Sequence, residues 1–235
     1  MKFCVDDLIF DKFPELYLGV TIAKGIDNSD SPDKLWDLIR DRQKTIRGTM
    51  SSDTLSQYPR IATWRQAYSA FGAKPKKYKS SVESLYRMVL KGIDLRPINA
   101  IVDIYNYISL KHMVPLGGDD TSRIEGNIEL RFAEEGERFQ ALNSEEVELT
   151  KYGEVIYADE IDVLCRRWNW RECDKTKMSE ATKEAMLVVE GLPPVGRGDV
   201  ETIAEELCRL VQTFCGGESR FEILHREKAE TVISL

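Results

Sequence analysis

The stretch that most limits what this chain can become runs from Pro97 to Asp120, PINAIVDIYNYISLKHMVPLGGDD. Ile98, Ile101, Val102, Tyr105 and Ile108 recur at helical spacing, and Pro97 suits a first helical turn, where its missing amide would be unpaired anyway. The spacing therefore predicts a helix opening at Pro97 and ending after Lys111. Asp103 and Asn106 fall off the apolar stripe, so they meet water or line a site. At Val114-Pro115-Leu116-Gly117-Gly118 the periodicity stops: proline cannot continue a helix, and paired glycines allow backbone shapes closed to other residues. A polar helix face thus leads straight into a glycine turn.

On either side of this stretch the pattern changes character. Upstream, Phe13 to Asp27 alternates as a buried strand, and Ser31-Pro32-Asp33 reads as the capped start of a helix to about Arg47. Tyr58 to Phe71 has the apolar face of a second helix. Ser80-x-x-Glu83 is a capping box opening a third, through Met88 and Leu90 to Gly92. Downstream, Asn127 to Ala133, Val147 to Leu149, Val155 to Ala158, Val163 to Trp168 and Ala185 to Leu192 are short, β-rich and separated by polar turns. Trp168 and Trp170 have the two-residue spacing of one strand face. Asp199 is expected to cap a helix carrying Val200, Ile203, Leu207, Leu210 and Phe214 to the Gly216-Gly217 stop, followed by a strand pair, Arg220 to His225 and Glu230 to Ser234. Helices early and strands late predict an α+β fold with a mainly antiparallel sheet set, in one unit over 1–235.

Charge is unevenly spread. The net charge is −7, yet Arg60, Arg65, Lys74, Lys76, Lys77, Lys79, Arg87 and Lys91 face a single acid, Glu83, across 60–91. That gives a positive patch on an acidic body, as contact with a phosphate backbone requires; a solvated basic loop has the same composition. The lysines run into the amino end of the Ser80 helix, where free amides and the helix dipole favour an anion. Tyr78, Ser80 and Ser81 are therefore candidates to hold a phosphate, although capping accounts for the two serines equally well.

Several function classes drop out. The two histidines, His112 and His225, have no zinc-hydrolase spacing, and no GxSxG elbow, P-loop or GxGxxG occurs, so no metal or other cofactor is expected. Gly191 to Gly198 is glycine-rich but lacks the Lys-Ser/Thr of a phosphate loop and reads as a turn or lid. The five cysteines form no CxxC and read as reduced thiols. An amino terminus with two early acids and no membrane-length apolar run predict a cytoplasmic protein without a membrane partner.

The run INAIVDIYNYISL, then PLGGDD, then IEGNIELRFAEEGERF resembles the editing (B3/B4) domain of the phenylalanyl-tRNA synthetase β subunit. There an IN-x-VVD-x-TNYV helix is followed by a PLHAFD turn and an EGGIVVR-x-A-x-EGE strand pair. The resemblance covers about 80–192, with 1–79 as a helical elaboration like that of freestanding relatives. It implies a three-layer arrangement, a β sandwich with helices on one side. It also implies hydrolysis of the ester joining a wrong amino acid to tRNA, with mischarged aminoacyl-tRNA as partner and no DNA. Such an ester is already activated, so a positioned water and a stabilised oxyanion can suffice.

Carried over by motif, the family's Asn falls on Asn106, to hold the terminal ribose or the ester carbonyl. The Glu of its VLLE motif falls on Glu190, to receive the amino group or a polar side chain of the amino acid. Tyr105, Gly117 and Gly118 line the pocket, and Arg65, Lys74, Lys76, Lys77 and Lys79 bind RNA. The chain departs from the pattern where Gly117 replaces a His, Tyr105 a Thr, and RRWNWRE (166–172) a GG-x-x-GGE loop, and the family's HTDAS element has no counterpart. A wider pocket floor at Gly117 and bulk near Arg171 are expected, so tyrosine is not assumed as substrate. The oligomeric state is left open. A non-catalytic RNA-binding module and a small-molecule binder or amino-acid hydrolase remain as alternatives. With no anticodon-reading or ATP-using element, aminoacylation is not expected.

Overall fold

Strand β2 (Tyr17–Lys24) has two unlike faces, and the layers of the molecule follow from them. Leu18, Val20 and Ile22 point into one apolar core, whereas Gly19, Thr21 and Ala23 leave the other face flat. Helix α6 (Arg197–Cys215) lies on that flat face: a Cβ at Gly19 would stand 3.0 Å from Val200 and 3.2 Å from Ala204. In this computed structural model, residues 1–29 and 31–233 are described.

β2 is central in a four-stranded antiparallel sheet ordered β11 (Glu218–Leu224), β2, β10 (Glu184–Gly191), β3 (Leu116–Asp120). β10 repeats the alternation. Leu187 and Val189 face the helical layer of α6, α5 (Ala100–His112) and α2 (Asp33–Thr49), while Met186 and Val188 face a second sheet. That sheet is six-stranded, ordered β12 (Glu230–Val232), β1 (Lys2–Val5), β4 (Ile128–Phe132), β7 (Val155–Ala158), β8 (Val163–Arg166), β9 (Arg171–Glu172); only β1 and β4 run parallel. A two-stranded ribbon, β5 (Arg138–Gln140) with β6 (Val147–Leu149), stands apart. Helices α1 (Asp7–Lys12), α3 (Pro59–Ala70) and α4 (Ser81–Leu90) add Ile9, Trp64, Tyr68, Val82 and Tyr86 to the core between the sheets. The fold is α+β: a β sandwich with a helical layer on one side.

Local expectations fail where side chains compete for the backbone. The central helix begins at Ala100 rather than Pro97, because the Asn99 side chain accepts from the Val102 amide and caps it there; Ile98 is exposed. Ser31 does not cap α2. Pro32 holds that position, and the Ser31 hydroxyl donates to Asp103. Asp199 is the third residue of α6, not its cap, and its carboxylate accepts from the Gly196 amide. The capping box at Ser80 is half formed, since Ser80 accepts from the Glu83 amide while the Glu83 carboxylate turns to Arg65 and Arg87.

Trp168 and Trp170 share no strand. β8 stops at Arg166, and Arg167 and Trp168 take φ of +51° and +67°, which swings the chain into β9. The last two strands form, but β11 pairs with β2 and β12 with β1, so they belong to different sheets. Ser234, the expected end of the last one, lies outside the described residues. The five cysteines are free thiols, and among the described residues no helix is long and apolar enough to cross a membrane.

Candidate functional site

The alternation of β10 that sends Val188 between the sheets sends Glu190 there too, two residues on. Its carboxyl is buried. The Tyr157 hydroxyl donates to Oε1 at 2.5 Å and the Asn169 amide donates to Oε2. Asn169 is held in turn, accepting from the Tyr68 hydroxyl at 2.9 Å. Burial pushes the Glu190 carboxyl up to about 7, and the bonds from Tyr157 and Asn169 oppose that by favouring the anion.

Glu190 is one wall of a small cavity whose other walls include Gly117, Gly118 and Asp119 of β3, Tyr157 of β7, Cys165 of β8 and Glu172 of β9. Asp119 accepts from the Thr176 hydroxyl; burial raises its pKa, with the charges of Asp159 and Asp120 adding. Glu172 is raised well above the ordinary range, first by burial and then by Asp119 and Glu190. Three acids thus share one space, and among the described residues lining it there is no Lys, Arg or His. They cannot all ionise cheaply, so the cavity holds protons at neutral pH. Its volume is about 30 Å³, enough for a water or two. Two buried donors at its edge, the Ser81 hydroxyl and the Trp168 indole N–H, have no hydrogen-bond partner. The indole is close enough to Glu190 to favour its anion without forming a bond of ordinary geometry.

Of the residues singled out from sequence, Ser81, Gly117, Gly118 and Glu190 come together in this cavity. Tyr105 sits close behind, its phenol raised by burial and by the charges of Glu172, Asp103 and Asp119. Asn106 is half-buried on α5 and is not among the lining residues. Its neighbour Asp103 is buried, accepting from Ser31 and from the Ile98 amide. The floor at Gly117 is not wide: Glu172 Oε1 would stand 2.6 Å from a Cβ there, so a carboxyl from β9 fills that space. Arg171 is exposed, stacked 4.6 Å from the Trp170 ring.

In the basic segment, Arg65 grips the fully buried Glu83 at 2.9 and 3.1 Å and Arg87 reaches it at 2.8 Å, so both are committed to a structural ion cluster. Lys74, Lys76 and Lys77 are exposed, and Lys79 donates to the Lys76 carbonyl. Arg167, bound to Glu154 at 2.8 Å, stacks on Tyr78 at 4.0 Å and Trp170 at 4.7 Å. This cationic and aromatic surface joins the cavity through the Ser81 amide, which donates to the Asn169 carbonyl at 3.0 Å.

Sequence reasoning missed Asp119, Tyr157, Cys165, Trp168, Asn169 and Glu172 as site residues. Asp119 stood in the GGDD run. Tyr157 and Cys165 carried no signal beyond their strands, and Trp168, Asn169 and Glu172 belong to the segment where the left-handed turn hides the facing.

A family model described as the B3/4 domain matches residues 63–216. The phenylalanine–tRNA ligase β subunit of Bartonella henselae is 32% identical over 164 residues, covering 60% of this chain and 20% of that one. That of Brucella abortus is 32% identical over 154 residues, covering 55% and 19%. That of Pseudomonas fluorescens reaches 45% over 75 residues, covering 32% and 9%. The chain spans about a fifth of the length of the first two relatives. Among solved structures, an N-terminal fragment of the phenylalanyl-tRNA synthetase β subunit from Pyrococcus horikoshii aligns with a TM-score of 0.45 at 16% identity, over 93% of this chain and 50% of that one.

Proposed function

The chain belongs to the B3/4 domain family, and from that premise we propose that it hydrolyses the ester of mischarged aminoacyl-tRNA, acting in trans. The observation that carries this reading is the acidic cavity, where Glu190 meets Gly117 and Gly118, which lie in strand β3 and not in the turn expected from sequence, although they are far apart in the chain. Glu190, poised near neutral pH, is suited to take a proton from a water that attacks the ester carbonyl. The proton then passes to the leaving ribose oxygen, releasing free amino acid and tRNA. The exposed lysines face the phosphates, whereas the amino end of α4 does not, because Ser80 is buried and the Ser81 and Glu83 amides already donate to Asn169 and Ser80. Asn106 on α5 is assigned to the terminal ribose outside the cavity.

Binding of uncharged tRNA at two salt concentrations tests the RNA half. Affinity is expected to fall steeply with salt, and joint replacement of Lys74, Lys76 and Lys77 by Glu to lower it at least about tenfold. Asn106→Ala should slow hydrolysis while sparing that affinity. Salt-independent or absent tRNA binding would leave a small-molecule site instead. Tight binding with no hydrolysis would leave an RNA-binding module.

A further inference from the structure

Of the four tryptophans, Trp36, Trp64 and Trp168 are buried, and Trp170 alone is half-buried at the surface. Its ring meets Tyr78 edge-on, with centroids 4.9 Å apart and an interplanar angle of 79°. Arg167 holds both rings: its guanidinium lies 4.0 Å from the Tyr78 centroid and 4.7 Å from that of Trp170, while Glu154 fixes it from inside at 2.8 Å. The positive φ at Arg167 and Trp168 turns the chain so that Trp168 and Asn169 line the cavity while Arg167, Trp170 and Arg171 join the stack. Left-handed backbone without glycine persists only where the surroundings impose it, and it gathers at binding sites. Two further cations reach the same rings. Arg171 is exposed, 4.6 Å from the Trp170 centroid, and its contact with Glu148 is a loose 3.9 Å. Lys77 is exposed, 5.0 Å over Tyr78, and has no carboxylate partner among the described residues. An exposed ion pair that long contributes little, so both charges are free to meet an anion. A half-open aromatic ring calls for a flat apolar face beside that anion. A nucleotide carries both; an acidic peptide carries only the charge.

We infer that Trp170 and Tyr78 form a stacking station for one unpaired nucleotide of a single-stranded nucleic acid, its base against the Trp170 ring and its phosphates on Arg171 and Lys77. That the strand is RNA, and part of a tRNA, rests on the proposed function; the station itself does not. Trp170 and Arg171 lie in 166–172, where this chain departs from the glycine-rich pattern of its family, so the station belongs to this chain's own sequence. Arg167 sets the rings before the ligand arrives, and little ordering is needed on binding. Sequence preference is slight, because every base has a π-face to offer.

The test uses the full chain and an end-labelled tetra-adenylate followed by fluorescence anisotropy, with the tryptophan emission of the protein read alongside. Tetra-adenylate should bind saturably and quench that emission, since Trp170 is the tryptophan a base can reach. An abasic tetramer of the same charge should bind at least about tenfold more weakly, the loss of one stacked base. AMP and an acidic heptapeptide should be weaker by at least that factor. Trp170→Leu should lower the affinity about tenfold and leave its salt dependence unchanged, whereas Lys77→Gln and Arg171→Gln should each lower it and flatten the salt dependence. Both charged side chains are exposed, so these variants decide the matter if Trp170→Leu fails to fold. Absent binding, equal binding of the abasic strand, AMP or the peptide, or wild-type affinity in a folded Trp170→Leu or in both charge variants, overturns the inference. Binding that depends on Trp170 in a protein that hydrolyses no aminoacyl-tRNA would remove the proposed function and leave the station standing. Hydrolysis of a mischarged tRNA by Trp170→Leu with wild-type kcat and KM would do the reverse.

Discussion

Near neutral pH the Glu190 carboxyl is divided between its two protonation states, held up by burial and drawn back by Tyr157 and Asn169. The folded protein keeps this proton at pH values where the unfolded chain has lost it. Stability is therefore greatest below the ordinary glutamate pKa and falls as pH rises through about 7, by up to about 3 kcal/mol from this group. Asp119 and Glu172, also raised by burial, act in the same direction. Urea unfolding of the wild type is expected to give a lower stability at pH 8 than at pH 5, and Glu190→Gln a flatter dependence. Identical profiles would place the Glu190 pKa in the ordinary range. From sequence, Glu190 was legible as an acid closing an apolar strand before a glycine. Glu172 was not, because Arg167 and Trp168 adopt left-handed backbone without the glycine that usually marks it.

Among the elements, β3 shows why two adjacent glycines do different work. A Cβ at Gly118 would stand 2.3 Å from the Met186 carbonyl oxygen and 2.6 Å from the Leu187 side chain, both fixed in β10. At Gly117 it would meet only the mobile end of Glu172. Gly118→Ala should cost about 3 kcal/mol, whereas Gly117→Ala should cost under about 1 kcal/mol and displace Glu172 from the cavity. Thermal unfolding separates them; equal costs would contradict this account of the strand. Short β-rich runs bounded by polar turns were legible to the residue, as with Val147–Leu149 and Val155–Ala158. Starts decided by one side chain were not: Asn99 captures the Val102 amide and shortens α5, and no periodicity reports that choice. The last two strands were legible as strands, but which sheet each joins is set by packing far along the chain.

Across the whole molecule, the sandwich lets a small set of separated segments share one interior space. β3 and β10 come from the four-stranded sheet, β7, β8 and β9 from the six-stranded sheet, and Ser81 from the start of α4. That convergence is not written in any local pattern, which is why most of the cavity went unseen while the fold class did not. The basic segment was legible as charge, but its division into structural and exposed cations was not: Arg65 and Arg87 neutralise buried Glu83, leaving the lysines to face solvent. Deacylation of a panel of tRNAs, each carrying a wrong or its correct amino acid, tests the central claim most directly. The account predicts rapid loss of a mischarged aminoacyl group, slow loss of the correct one, and abolition of the difference in Glu190→Gln. No loss from any tRNA above the buffer rate would contradict it.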